Sequence, residues 1–166
     1  MVFIIPKNHP ADNIAGTIRK TRSDTISKER SKPLHIVSCS FGKDSLATIL
    51  LALEHGESLD EAVYCEVMFD KTVSGEVPEH RDFIYHTAIP KLERMGVKVR
   101  VLRAEKTYVD LFAGTVTRGP KKGMLRAFPI CGKCYVQRDC KIKPICRYQK
   151  SLPADTMQYI GIAYDE

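Results

Sequence analysis

The sequence predicts an α/β domain: a three-layer sandwich in which a mostly parallel, twisted, Rossmann-like sheet is covered by helices. Three observations carry this. β-prone runs alternate with helix-forming stretches, and strands joined through helices run parallel by right-handed crossovers. A polar, glycine-bearing loop joins the first clear strand directly to a helix. The 166 residues, 43% hydrophobic and 28% charged, suit one globular domain and exclude a disordered or collagen-like chain.

In chain order, Val2-Phe3-Ile4-Ile5 reads as a short strand, and the polar run after it as a partly flexible extension reaching Lys32. The main domain is taken as 33–166. Residues 34–39 form a β-prone run, and 46–55 hold helix formers throughout, stopped by Gly56. Residues 62–69 read as a strand ending at Asp70, followed by a loop over 71–78. A helix starts near Glu79, with Phe83, Ile84, Ala88, Ile89, Leu92 and Met95 mostly at helical spacing, a kink or break at Pro90 and a stop at Gly96. Residues 97–102 alternate strictly, as a strand does; 108–112 look like a short helix and 158–163 like a last strand.

Charge is unevenly placed. The net charge is +6, yet 118–150 holds ten Lys or Arg against Asp139 alone, whereas 54–110 holds twelve acids against eight bases. A basic pole of this kind meets phosphates, of a nucleotide or of a nucleic acid, or is simply a solvated face. No apolar run approaches the ~18 residues that span a bilayer, and the start does not read as a secretory signal. A cytoplasmic protein without a membrane partner is expected.

Six cysteines in such a chain are expected to be thiols. Cys39 and Cys65 lie in apolar β-prone runs and read as small buried hydrophobes. Cys131, Cys134, Cys140 and Cys146 are spaced C-x2-C-x5-C-x5-C among basic residues that lower thiol pKa values. Four thiolates suit tetrahedral zinc or an iron–sulfur cluster, and the spacing decides for neither. The alternative makes Cys140 and Cys146 core residues and Cys131 and Cys134 a redox or inert pair.

In parallel sheets the first strand-to-helix turn is the usual phosphate site. Residues 40–45 occupy it. Gly42 admits an anion to the backbone, helix-start amides point at it, Lys43 adds charge, and Ser40 and Ser45 add hydroxyls. The glycine spacing is not that of a GxxxxGK[ST] loop, and Asp44 follows the lysine. Asp70, at a strand end, is a candidate for holding hydrated magnesium or for capping its loop. His80 and His86 read as surface or packing residues.

Ser38-Cys39-Ser40-Phe41-Gly42-Lys43-Asp44-Ser45 resembles the SGGKDS pyrophosphate loop (PP-loop) of the adenine nucleotide alpha-hydrolase superfamily. More narrowly, it is similar to that of the phosphoadenosine phosphosulfate reductase-like family, phage members included. Residues 66–70, Gly75-Glu76-Val77-Pro78-Glu79-His80 and Cys140-Lys141-Ile142-Lys143-Pro144-Ile145 fit the same resemblance.

The resemblance implies ATP, or AMP or phosphoadenosine phosphosulfate, bound with magnesium by Ser38, Ser40, Phe41, Gly42, Lys43, Asp44, Ser45 and Asp70. Lys43 and Asp44 are the catalytic candidates. The implied reaction cleaves ATP between its alpha and beta phosphates to adenylylate an acceptor. Cluster-bearing relatives favour iron–sulfur over zinc at the four cysteines. Two departures stand out. Phe41 replaces the first loop glycine, so that position is expected to take dihedrals a bulky residue tolerates. The nucleophilic-cysteine tail of sulfonucleotide reductases is not found before Glu166, so the C-terminal part of the family domain is read as missing. Reductase activity is therefore the second enzymatic reading, and a nucleic-acid module using 118–150, with the cysteines holding it folded, is the rival from another class.

Overall fold

The computed structural model describes residues 2–6, 32–126 and 134–161. Five strands, β1 (Val2–Pro6), β2 (His35–Ser38), β3 (Glu61–Glu66), β4 (Lys98–Arg103) and β5 (Met157–Gly161), form one sheet in the order β1-β5-β2-β3-β4. The ladders β5–β2, β2–β3 and β3–β4 are parallel. The α/β class and the mostly parallel sheet are as the sequence predicts. The strand expected at Val2–Ile5 is present as the antiparallel edge, with Val2 opposite Gly161.

Helix α1 (Lys43–Glu54) connects β2 to β3. Between β3 and β4, α2 (Pro78–Phe83), a π-helical turn (Ile84–Ala88) and α3 (Ile89–Arg94) follow without interruption. Pro90 has no amide to donate, and its ring crowds the carbonyl one turn back. The helix accommodates it by widening just before it, so the expected break is a π turn. The same device recurs where a π turn (Gln137–Ile142) leads into α5 (Lys143–Ser151), with Pro144 in the first turn of α5. Helix α4 (Tyr108–Phe112) matches its predicted span and starts in a capping box, Thr107 and Asp110 satisfying each other's amides.

The core explains the order of the sheet. Strand β3 is buried at every position, and its alternate residues meet different neighbours, as a pleated strand requires. Ala62 and Tyr64 join Ile49 and Ala52 of α1 with Ile84, Ala88 and Leu92 of the helix that crosses from β3 to β4. Glu61 is bonded by Tyr148 of α5, and Cys65 donates to the Cys140 carbonyl. Burying each large apolar side chain contributes about 1.5–3 kcal/mol.

Strand β3 stops earlier than predicted because the chain folds back. The Gly75 amide donates to the Val67 carbonyl at 2.8 Å and the Phe69 amide to that of Val73 at 2.9 Å. Among the described residues no helix is long and apolar enough to cross a membrane.

Candidate functional site

Strands β3 and β4 lie on one side of β2, and β5 and β1 on the other. The order reverses between β2 and β5, which makes this the topological switch point where open α/β sheets place their ligands. The side chain of Gln158 on β5 crosses it, donating to Ser38 Oγ at 3.1 Å. The candidate phosphate loop follows directly from Ser38.

Cys39 is tied down, its amide donating to the Val63 carbonyl at 2.9 Å. Its thiol is buried, which pushes its pKa up. The chain then turns sharply: Phe41 has φ of 59°, the one positive φ among the described non-glycine residues. The expectation that this position takes dihedrals easy for a bulky residue is corrected here. The backbone keeps the left-handed turn that suits glycine, at a cost of roughly 1–2 kcal/mol. Burial offsets that cost, since the Phe41 ring is 2% exposed and meets Tyr64 edge-on at 5.1 Å between centroids.

The turn opens α1 towards solvent. Ser40, Gly42, Lys43 and Asp44 are exposed, and Gly42, the N-cap, gives no side-chain cap to the helix amides. Such uncapped amides with the positive end of the helix dipole suit an anion. Ser45 Oγ donates to the Gly42 carbonyl at 3.0 Å and lies 3.3 Å from the Ser40 amide, which fixes the loop's curvature. Ser38, Ser40, Phe41, Gly42, Lys43, Asp44 and Ser45 are therefore gathered in one turn, with Phe41 contributing backbone shape and packing rather than an exposed side chain.

A second set of residues, from β3, α2 and the segment before α2, supports the loop. Glu76 accepts from the Tyr64 hydroxyl at 3.2 Å and lies 3.2 Å from His80 Nδ1, while His80 Nε2 lies 3.4 Å from the Phe41 carbonyl. His80, read from sequence as a surface or packing residue, is thus a support for the strained turn. Beyond Tyr64 on the same side of β3, the carboxylate of Glu66 is fully buried and receives Arg81 at 3.0 Å, Tyr85 at 2.8 Å and Arg103 at 2.6 Å. Burial alone would raise its pKa, but hydrogen bonds from Tyr85, Ser74, Arg103 and Arg81 outweigh it and hold the carboxyl at about 2. Two half-exposed guanidinium groups on one carboxylate leave surplus positive charge at the strand ends. The sequence signal was a glutamate inside an otherwise apolar strand, which demands cationic partners.

Asp70 has the loop-capping arrangement. Its Oδ1 accepts from the amides of Thr72 and Val73, both at 2.7 Å, and from the Thr72 hydroxyl at 2.9 Å. Those bonds hold its carboxyl below the usual range.

Three of the four candidate ligands in the cysteine segment fall among the described residues. Cys131 lies outside the described residues. Cys134 and Cys146 are exposed, and Cys140 is buried with its thiol donating to the Lys106 carbonyl at 3.2 Å. Among the described residues no group of three or more His, Cys, Asp or Glu is arranged to hold a metal. The expected lowering of thiol pKa values is reversed at Cys140: burial first, then Asp139 and Asp110, push it up. Asp139 answers to two of the nearby bases, pairing with Arg138 at 2.8 Å and Lys143 at 2.7 Å.

No family model, no curated protein and no solved structure matches the chain.

Proposed function

We propose that the protein binds an adenine nucleotide at Ser38–Ser45 and cleaves ATP between its alpha and beta phosphates, passing AMP to an acceptor. What supports the reading is one observation: an exposed left-handed turn at the end of β2, beside the switch point, opens α1 with its amides uncapped by any side chain. The choice of adenine and of the alpha phosphorus rests on the resemblance of the loop to the pyrophosphate type.

In this reading the amides of the α1 start and the Lys43 ammonium hold the beta and gamma phosphates as the leaving group. Charge builds on the pyrophosphate as its bond to the alpha phosphorus breaks, and preorganised donors stabilise that charge. Ser40 supplies a hydroxyl to the same anion, and Ser45, whose hydroxyl is given to the Gly42 carbonyl, holds the turn that presents it. Magnesium on a nucleotide takes many of its ligands from phosphates and water, and the loop's own carboxylate is Asp44; Asp70 spends one carboxylate oxygen on its turn.

The test has two parts. Calorimetry should show ATP binding far more tightly than adenosine, and equal affinities would defeat the phosphate site itself. Chromatography of the turnover products should show AMP and pyrophosphate. ADP with inorganic phosphate would leave the phosphate site standing but remove the assignment of the bond cleaved.

A further inference from the structure

At the carboxyl ends of β3 and β4, the same edge of the sheet from which the turn after β2 leaves, lies an aromatic shelf. It is assembled by main-chain bonds. The Tyr108 amide donates to the Met68 carbonyl at 2.9 Å and the Val109 amide to that of Phe69 at 3.0 Å, which fixes the start of α4 against the loop that follows β3. As a result the Phe69 ring stacks on Tyr108, with centroids 5.6 Å apart and planes at 14°. Tyr108 in turn lies 6.3 Å from Phe112, with planes at 17°.

The three nearly parallel rings, with Val67, Gly75 and Val109, line an open cavity of about 620 Å³. Phe69 is 45% exposed and Phe112 36%. Phe69 and Phe112, the outer members of this stack, are the exposed rings, and exposed aromatic faces stack flat ligands such as bases.

A basic hairpin springs directly from the end of α4. Thr115 pairs with Leu125, Val116 exchanges bonds with Met124 and Gly123, and Arg126 returns to the Gly114 carbonyl at 2.8 Å. Residues 111–126 contain Arg118, Lys121, Lys122 and Arg126 and no acid. Arg118, Lys121 and Lys122 are exposed and make no ion pair with a described residue. The carboxylates nearest the rings in sequence, Asp70 and Asp110, are kept ionised by their turn and capping bonds, and Lys71 and Lys106 act against the charge of Asp110. Cations on a hairpin that follows the rings directly in the chain are the combination that binds a strand whose bases are unpaired: the rings take the bases irrespective of sequence, and the cations take the phosphates.

We propose that the shelf of Phe69, Tyr108 and Phe112, with the 115–125 hairpin, binds single-stranded nucleic acid. The bases stack on the rings, and Arg118, Lys121 and Lys122 contact the phosphates. This does not rest on the nucleotide-site reading.

The test is fluorescence anisotropy of the full chain with a labelled oligodeoxythymidine of about ten nucleotides and with an abasic strand of equal length and charge. The thymidine strand should bind about 5- to 150-fold more tightly, the range expected for stacking of one base. Equal affinities overturn the proposal without recourse to any variant. Phe69→Leu and Phe112→Leu, which keep apolar bulk, should remove the preference for bases. Lys121→Glu with Lys122→Glu should weaken both strands and lower the slope of log affinity against log salt by about 1.4, at roughly 0.7 per phosphate contact. Tighter binding to duplex DNA overturns the role of the rings. So does binding to anionic lipid vesicles but not to oligonucleotide. Displacement of the strand by ATP would assign the shelf to the nucleotide site instead, and overturns the proposal as well.

Discussion

The thiol of Cys65 in β3 donates to the main-chain carbonyl of Cys140 at 3.3 Å, and the cause lies one helical turn further on, at Pro144. In an α-helix that carbonyl would accept the amide of Pro144, which has none to give. The π turn before α5 widens the helix around the same proline, and a side chain from the sheet supplies the missing donor. Cys140 spends its own thiol on the Lys106 carbonyl. One residue thus fastens the π turn to β3 and to the segment leading into α4.

Cys65→Ala should therefore destabilise the protein by about 1–3 kcal/mol, the cost of a buried acceptor left without its donor. Cys65→Ser, whose hydroxyl can donate, should recover part of the loss. Urea denaturation midpoints decide it, and an alanine variant as stable as the parent would remove the bond's importance.

At Phe41 two costs oppose each other. Phe41→Ala should lose about 3–5 kcal/mol of buried aromatic packing. Phe41→Gly loses the same packing but is freed from the left-handed penalty, so it should be the more stable of the two by about 1 kcal/mol. An alanine variant more stable than the glycine variant in thermal melts would contradict the φ of 59°.

Glu66 ties stability to acid pH. Its carboxyl, about 4.5 when unperturbed, is held at about 2 in the fold. A depressed folded value means that the contribution is complete above about pH 4.5 and is lost as the pH falls towards about 2. Glu66→Gln, breaking a buried pair, should cost on the order of 3 kcal/mol at pH 7. Its stability should also fall less steeply than the parent's across that window. Parallel stability–pH curves for the two proteins would show that Glu66 is not the group responsible.

Gly161 faces α1 at close range: a Cβ there would stand 2.2 Å from Thr48 Oγ1. Gly161→Ala should therefore force β5 and α1 apart at a cost of about 1–3 kcal/mol. Adding Thr48→Ala removes the clashing oxygen, so the double variant should be more stable than the two single losses added together. Strict additivity in denaturant titrations would argue against the contact.

Lys43→Ala should weaken ATP binding by roughly 1.5–3 kcal/mol, the worth of a charged hydrogen bond, and leave adenosine binding unchanged. Calorimetry with both ligands reads this directly. Equal loss for both would place Lys43 in the fold rather than on phosphate.

What could be read from the sequence was local. The strand, turn and helix over 35–54 follow from a β-prone run, a polar glycine loop and a block of helix formers. Helix α4 was readable as a short helix over 108–112, though its capping box was not. Features that depend on distant partners were not readable. Pro90 and Pro144 signal a disturbance, but whether a helix breaks or widens depends on the packing around it. The position of Phe41 is set by Tyr64, Glu76 and His80, none adjacent in sequence. The residues of the aromatic shelf come from two connections separated by β4, so no window of sequence contains them together. Of the four cysteines whose spacing suggested a convergence, Cys131 lies outside the described residues, and the described ones alone form no metal-holding group.

The position of β5 bears on how the chain acquires its structure during synthesis. Two of the sheet's ladders, β1–β5 and β2–β5, require residues 157–161. At roughly 5–20 residues per second, the chain between β4 and β5 takes on the order of several seconds to make. Through that interval β2 is a nascent strand with one flank open, and its four-residue length limits what it offers to other chains. Contacts between remote segments also form slowly. The Ser38–Ser45 turn is therefore translated early but set late, because the strand that carries it is held on both sides only after β5 has left the ribosome and docked.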